Sequence, residues 1–113
     1  MAAVFEITSH EIIKEDYLRL MVQSDNQPCG FVDFIADNVN FNISCKNDFF
    51  KGMESIVNIK FEYEKDRLFV VFKNKQQMAF TCKLKVLEQI SHHIKGHGNS
   101  GKSQNIKNSF FND

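Results

Sequence analysis

The stretch SIVNIKFEYEKDRLFVVFKNKQQMAFTCKL, residues 55–84, decides the fold. Apolar side chains recur at every second position: Val57, Ile59, Phe61 and Tyr63, then Leu68, Val70 and Phe72, then Met78, Phe80, Cys82 and Leu84. Period two sends these to one face of a strand, while Asn58, Lys60, Glu62 and Glu64 face the other way. Lys65-Asp66 and Asn74-Lys75-Gln76-Gln77 supply the reversals, so the segment reads as three half-buried antiparallel strands in a meander.

Upstream, Asp25-Asn26-Gln27-Pro28-Cys29-Gly30 reads as a turn, Phe31 to Ala36 as a strand apolar on both faces, and Val39, Phe41 and Ile43 as an alternating strand after Asp37-Asn38. A loop is expected from Lys46 to Glu54. Residues 4–23 admit two readings. Thr8 with Glu11 resembles a capping box leading into Ile13, Tyr17, Leu20 and Met21 at helical spacing. The same stretch also reads as two strands, Val4 to Ile7 and Leu18 to Val22, joined by an acidic turn at Glu15-Asp16. The strand reading is preferred, because the meander otherwise lacks partners.

After Leu84 the period changes to that of a helix, with Val86, Leu87, Ile90 and Ile94 on one side up to about Lys95. From Gly96 onward Gly, Asn, Ser and Lys dominate, too polar to offset ordering entropy. The expected organisation is one β-rich α+β domain over 1–95, a bent antiparallel sheet or partly open barrel closed by the C-terminal helix, and a flexible polar tail over 96–113. Twelve phenylalanines and no tryptophan supply its core.

Seven antiparallel strands followed by one helix form a layout that resembles the pleckstrin-homology superfold and is similar, more faintly, to small bacterial immunity proteins. The first resemblance implies a phosphoinositide site on a Lys-rich first hairpin. That hairpin carries Glu11, Glu15 and Asp16 here, and the tryptophan usual in the C-terminal helix is absent, so phosphoinositide binding is not expected.

With 113 residues the chain has the size of one domain, and no apolar run approaches the roughly 20 residues of a membrane span. Its N-terminus lacks the features of a signal or transit peptide. Three widely spaced cysteines, Cys29, Cys45 and Cys82, form no C-x-x-C pair and read as reduced thiols of an intracellular protein, cytoplasmic or nuclear. Formal net charge is zero, but residues 1–44 hold seven acids against two bases, a balance of −5, and residues 45–113 hold twelve bases against seven acids, a balance of +5. Strands that fold back on one another are expected to interleave the two halves.

Gly96-His97-Gly98-Asn99-Ser100-Gly101-Lys102-Ser103 matches the phosphate loop G-x-x-x-x-G-K-[ST]. That loop works between a buried strand and a helix of a parallel α/β sheet, whereas a polar helix precedes it here and ten residues follow. His92, His93 and His97 suit a solvated helix end better than a metal site, since no carboxylate or cysteine lies close in sequence to complete a ligand set. No cysteine belongs to a Cys/His catalytic signature, and Cys82 on the apolar strand face is expected to be inert. No catalytic, cofactor-binding or metal-binding constellation is therefore expected.

Phe49-Phe50-Lys51 is the surface candidate: adjacent phenylalanines on one segment cannot both face inward, so one either anchors a partner or caps the sheet end. Phe110 and Phe111 in the tail offer a similar short motif. The expected function is a non-enzymatic protein-interaction module, an adaptor, inhibitor or subunit, that binds another protein through a sheet edge, Phe49-Phe50-Lys51, or Phe110 and Phe111. Nucleic-acid binding through Lys-rich strands and exposed Phe is the alternative, and an enzyme of unnamed reaction is third. No membrane partner is expected.

Overall fold

The computed structural model describes residues 3–45 and 49–97. Strands β1 (Ala3–Lys14), β2 (Tyr17–Ser24), β3 (Gln27–Ile35), β4 (Asn38–Ser44), β5 (Phe49–Glu62), β6 (Arg67–Phe72) and β7 (Gln77–Thr81) follow one another around a barrel, and helix α1 (Leu84–His97) completes the described chain. Each strand is antiparallel to its sequence neighbour. An up-and-down meander with an odd number of strands leaves its first and last running the same way, so closure is parallel: Ala3 faces Met78 through to Glu6 facing Thr81. The sheet is therefore a closed barrel rather than a partly open one.

The N-terminal ambiguity resolves to strands, with Glu15-Asp16 as the turn. Burial at Phe5, Ile7, Leu18, Leu20 and Val22 follows period two, which a helix through the same residues could not satisfy. The next reversal is tighter than expected. Asp25 and Asn26 alone make it, both at positive φ (52° and 64°), the conformation of a primed two-residue hairpin that Asp and Asn tolerate best. β3 thus begins at Gln27, and Pro28 lies where the β2–β3 register slips, a place where a missing N–H breaks no regular ladder.

Two other expectations give way to β-sheet pairing. The segment expected as a loop up to Glu54 is strand from Phe49, because Phe49 to Ser55 pair with Ser44 to Asn38. Within β5 a bulge between Ile56 and Asn58 resets the alternation: Ile56, Ile59 and Phe61 are buried, whereas Val57, expected inside, is 46% exposed. At the far end of the meander Leu84, also expected inside, is exposed in the first turn of α1, and Cys82 is only half-buried.

Phenylalanine rings fill the interior as a continuous chain: Phe34 on Phe80, Phe80 on Phe5, Phe5 on Phe50, Phe50 on Phe41, and Phe41 on Phe72, with centroids 5.2 to 6.3 Å apart. Leu87, Ile90 and Ile94 of α1 join the same core, and Tyr63, in a short 3-10 turn after β5, donates its hydroxyl hydrogen bond to Ser91 Oγ at 2.7 Å. The helix runs to His97, past the expected end near Lys95. Of the segment 96–113, expected as a flexible tail, residues 96 and 97 belong to α1 and residues 98–113 lie outside the described residues.

Cys29 and Cys45 form a disulfide, with Cα atoms 5.2 Å apart. This corrects the reading of three reduced cysteines. The β3–β4 hairpin, by pairing Gly30 with Ile43, brings together two residues that are distant in sequence. The charge expectation is corrected as well, since sequential strand order keeps the halves apart. β1–β4 form an acidic arc, and residues 49–97, with nine Lys and Arg against five Asp and Glu, form a basic one.

Candidate functional site

β1 is twelve residues long and β7 only five. β2 pairs with β1 from Glu6 to Lys14, but β7 reaches only from Ala3 to Glu6. Beyond Glu6 the chain of β7 has already turned away into α1, so among the described residues no strand pairs with the outer edge of β1 from Ile7 to Lys14. Main-chain N–H and C=O groups along such an edge are a template for a further strand. Ile12 and Ile13, 57% and 37% exposed, place apolar surface there.

A cleft runs along this edge between β1 and the start and body of α1. Its first half, about 630 Å³, is bordered by Thr8, Ser9 and His10 on one side and by Lys83 and Val86 on the other. Its second half, about 680 Å³, has Leu18 and Ile90 as floor, with Ile12, Lys85 and His92 around it. His10 lines both, so the halves meet there. The first half also holds the Cys82 thiol. Burial, and then the neighbouring Asp66 charge, push it up to about 11; a thiol so protonated near neutral pH is a poor nucleophile.

Phe49, Phe50 and Lys51 occupy the start of β5. Phe49 is 68% exposed, with Lys51 Nζ 5.7 Å from its ring centroid. Phe50 is half-buried and packs edge-on against Phe5 with centroids 6.1 Å apart. One ring thus caps the core and the other faces solvent, the division that strand alternation requires. Phe41 and Gln76 border the shallow depression around them. Phe110 and Phe111 lie outside the described residues, as does the phosphate-loop match after His97; α1 runs through its first two residues, where the loop would need a strand to end.

On the outer wall of β2 and β3 stands a polar cluster to which the sequence reading assigned no role. Asp33 is 1% exposed. Arg19 donates to it from Nε at 2.8 Å and from Nη2 at 3.0 Å, and the Tyr17 hydroxyl donates at 2.7 Å. The Asp33 hydrogen bond pushes the Tyr17 phenol up and holds the Arg19 guanidinium above its ordinary range. Arg19 also lies over the Phe31 ring, 4.0 Å from its centroid. Both carboxylate oxygens are occupied, so the cluster ties the two strands together. A second pair, Glu62 with Arg67, spans the β5–β6 turn, and its hydrogen bond lowers the Glu62 carboxyl.

His92 is exposed, as a solvated helix end requires, but His93 faces the barrel and is 9% exposed. Among the described residues no group of three His, Cys, Asp or Glu is placed to hold a metal, and no helix is long and apolar enough to cross a membrane. The edge cleft escaped the sequence reading because it is a mismatch of strand lengths. The available signal was the shortness of the alternating run from Met78 to Leu84 before the helical period, which leaves β7 too short to accompany β1. No family model, curated protein or solved structure matches the chain.

Proposed function

We propose that the protein is a non-enzymatic interaction module, an adaptor, inhibitor or subunit of a larger complex, that takes an extended segment of a partner protein along the free edge of β1. One observation carries this reading: β1 runs eight residues, Ile7 to Lys14, beyond its last partner on β7, beside an open cleft. Main-chain hydrogen bonds would supply affinity, and the cleft would select side chains. Phe5, Phe61, Phe72 and Phe80 are packed in the barrel interior, each almost fully buried. Phe49 and Lys51 form a separate exposed contact; Phe110 and Phe111 enter the proposal from sequence alone. An intracellular protein, as expected from the cysteine spacing, would need a compartment that keeps Cys29 and Cys45 oxidised.

The test is selection of peptides from a random display library, followed by hydrogen exchange. Selected peptides are expected to slow exchange of the amides in residues 7–14 and to lose binding in Ile12→Lys, a substitution at an exposed position. Peptides that bind Ile12→Lys equally well and leave these amides unchanged sink the reading.

The exposed Phe49 ring with Lys51 beside it favours a second reading, a stacking platform for single-stranded nucleic acid. Affinity for a labelled oligonucleotide that falls with salt and with Phe49→Ala would support it; salt-independent affinity would not.

A further inference from the structure

We propose that the second half of the edge cleft is built for an acidic segment: an extended strand with an apolar residue flanked by carboxylates, paired to β1 beyond His10. This rests on the reading of the β1 edge as the interaction site. The chemistry of the lining carries it. Leu18 and Ile90 form an apolar floor, and around it stand Lys85, His10, His92 and Gln89, all able to donate hydrogen bonds, against one carboxylate, Glu88. Lys85 has no ion-pair partner among the described residues. A ligand rich in acceptors therefore satisfies this rim, and carboxylates satisfy it with charge-assisted bonds.

The position of the cleft points the same way. It lies at the seam where β1 meets α1 of the basic arc, so an incoming acidic strand would have Lys85 along its open side. In the first half of the cleft Lys65 and Lys83 are balanced by Glu6 and Asp66, and in the second half Lys85 by Glu88, so the preference beyond His10 rests on the further donors His10, His92 and Gln89. The chain's own residues 98–113 carry Lys102 and Lys107 against the single acid Asp113, the wrong sign for this rim. A strand from a separate acidic protein suits it better.

The experiment uses the full chain and three end-blocked, fluorescently labelled heptapeptides of alternating valine with glutamate, glutamine or lysine, read by anisotropy. The glutamate peptide is expected to bind about tenfold tighter than the glutamine peptide, and the lysine peptide weakest. Lys85→Gln should reduce the glutamate preference, whereas Glu88→Gln should tighten glutamate-peptide binding about two- to threefold, a gain that misfolding cannot produce. Equal binding of the glutamate and glutamine peptides, both slowing exchange in residues 7–14, overturns the acidic preference and leaves the edge reading intact. Glutamate-peptide binding that leaves exchange in residues 7–14 unchanged overturns both. Absence of binding by the glutamate peptide, or protection of residues 7–14 through self-association of the free chain, overturns the acidic-segment proposal.

Discussion

Arg19 grips Asp33 across the β2–β3 ladder with two hydrogen bonds, of 2.8 and 3.0 Å, on the outside of the barrel, where a carboxylate would ordinarily be solvated. The Asp33 side chain is nevertheless 2% exposed, against 33% for Arg19. This asymmetry sets the consequences of breaking the pair. Arg19→Leu strands a buried charge and should cost about 2 to 4 kcal/mol in urea denaturation. Asp33→Asn leaves an arginine that water can reach, so its cost should be smaller, about 1 kcal/mol. Replacing both by leucine should recover most of the first loss, since a buried ion pair and a packed apolar pair are often close in stability. Three equal losses would contradict this account.

The bulge in β5 makes a prediction that plain alternation reverses. Phe61 is fully buried and Val57 is 46% exposed. Phe61→Ala should therefore cost about 3 to 5 kcal/mol, and Val57→Ala less than about 0.5 kcal/mol. Thermal unfolding of the two variants measures it, and similar midpoints would place the bulge elsewhere.

Gly30 and Gly52 both have positive φ, 126° and 107°, but their surroundings differ. A Cβ on Gly30 would lie 2.0 Å from the Asn42 carbonyl oxygen, whereas one on Gly52 meets nothing within 4 Å. Gly52→Ala should cost only backbone strain, about 1 to 2 kcal/mol. Gly30→Ala must also push β3 from β4 and should cost more, with amide exchange in that hairpin accelerated selectively. Equal costs would show that the contact with Asn42 does not matter.

Cys29 and Cys45 close a loop with a sequence separation of 16. The entropy withheld from the unfolded chain by a loop of that size stabilises the fold by about 3 kcal/mol. Added reductant should lower the denaturation midpoint of the native protein by a corresponding amount. It should leave a variant with serine at both positions unchanged, and a shift in that variant would implicate another group.

Cys82 is the free cysteine among the described residues. With its thiol pushed up to about 11, its reaction with iodoacetamide at pH 8 should be slower than that of an unfolded control by on the order of a hundredfold. The rate should rise as pH increases toward 11. Labelling as fast as in the control would show a thiol exposed to solvent.

Much of the architecture was legible because period-two patterning is local. Met78 and Phe80, or Leu18 and Leu20, sit on one face of a strand whatever strand lies beside them. Val57 and Leu84 escaped the pattern for reasons beyond their own segments. A bulge opposite Val71 and Phe72 turned Val57 outward, and the entry into α1 placed Leu84 in a helical turn. At the surface, the division of labour between Phe49 and Phe50 follows from adjacency alone, but only the position of Phe5 decides which ring is buried.

By itself the sequence determined the three-strand meander, the alternating strand from Val39 to Ile43, the phenylalanine-rich core and the closing helix, because each depends on residues within a few positions of one another, while residues 4–23 stayed open and Phe49 to Glu54 read as loop. The tertiary structure alone decided the parallel closure of Phe5 against Phe80, the pairing of Cys29 with Cys45, and the shielding of Asp33 by Arg19. These are contacts between segments whose local preferences carry no information about each other. The candidate site belongs to this second group: among the described residues the edge from Ile7 to Lys14 has no partner strand because β7 ends at Thr81, and the main-chain groups of one strand do not record where a distant one stops.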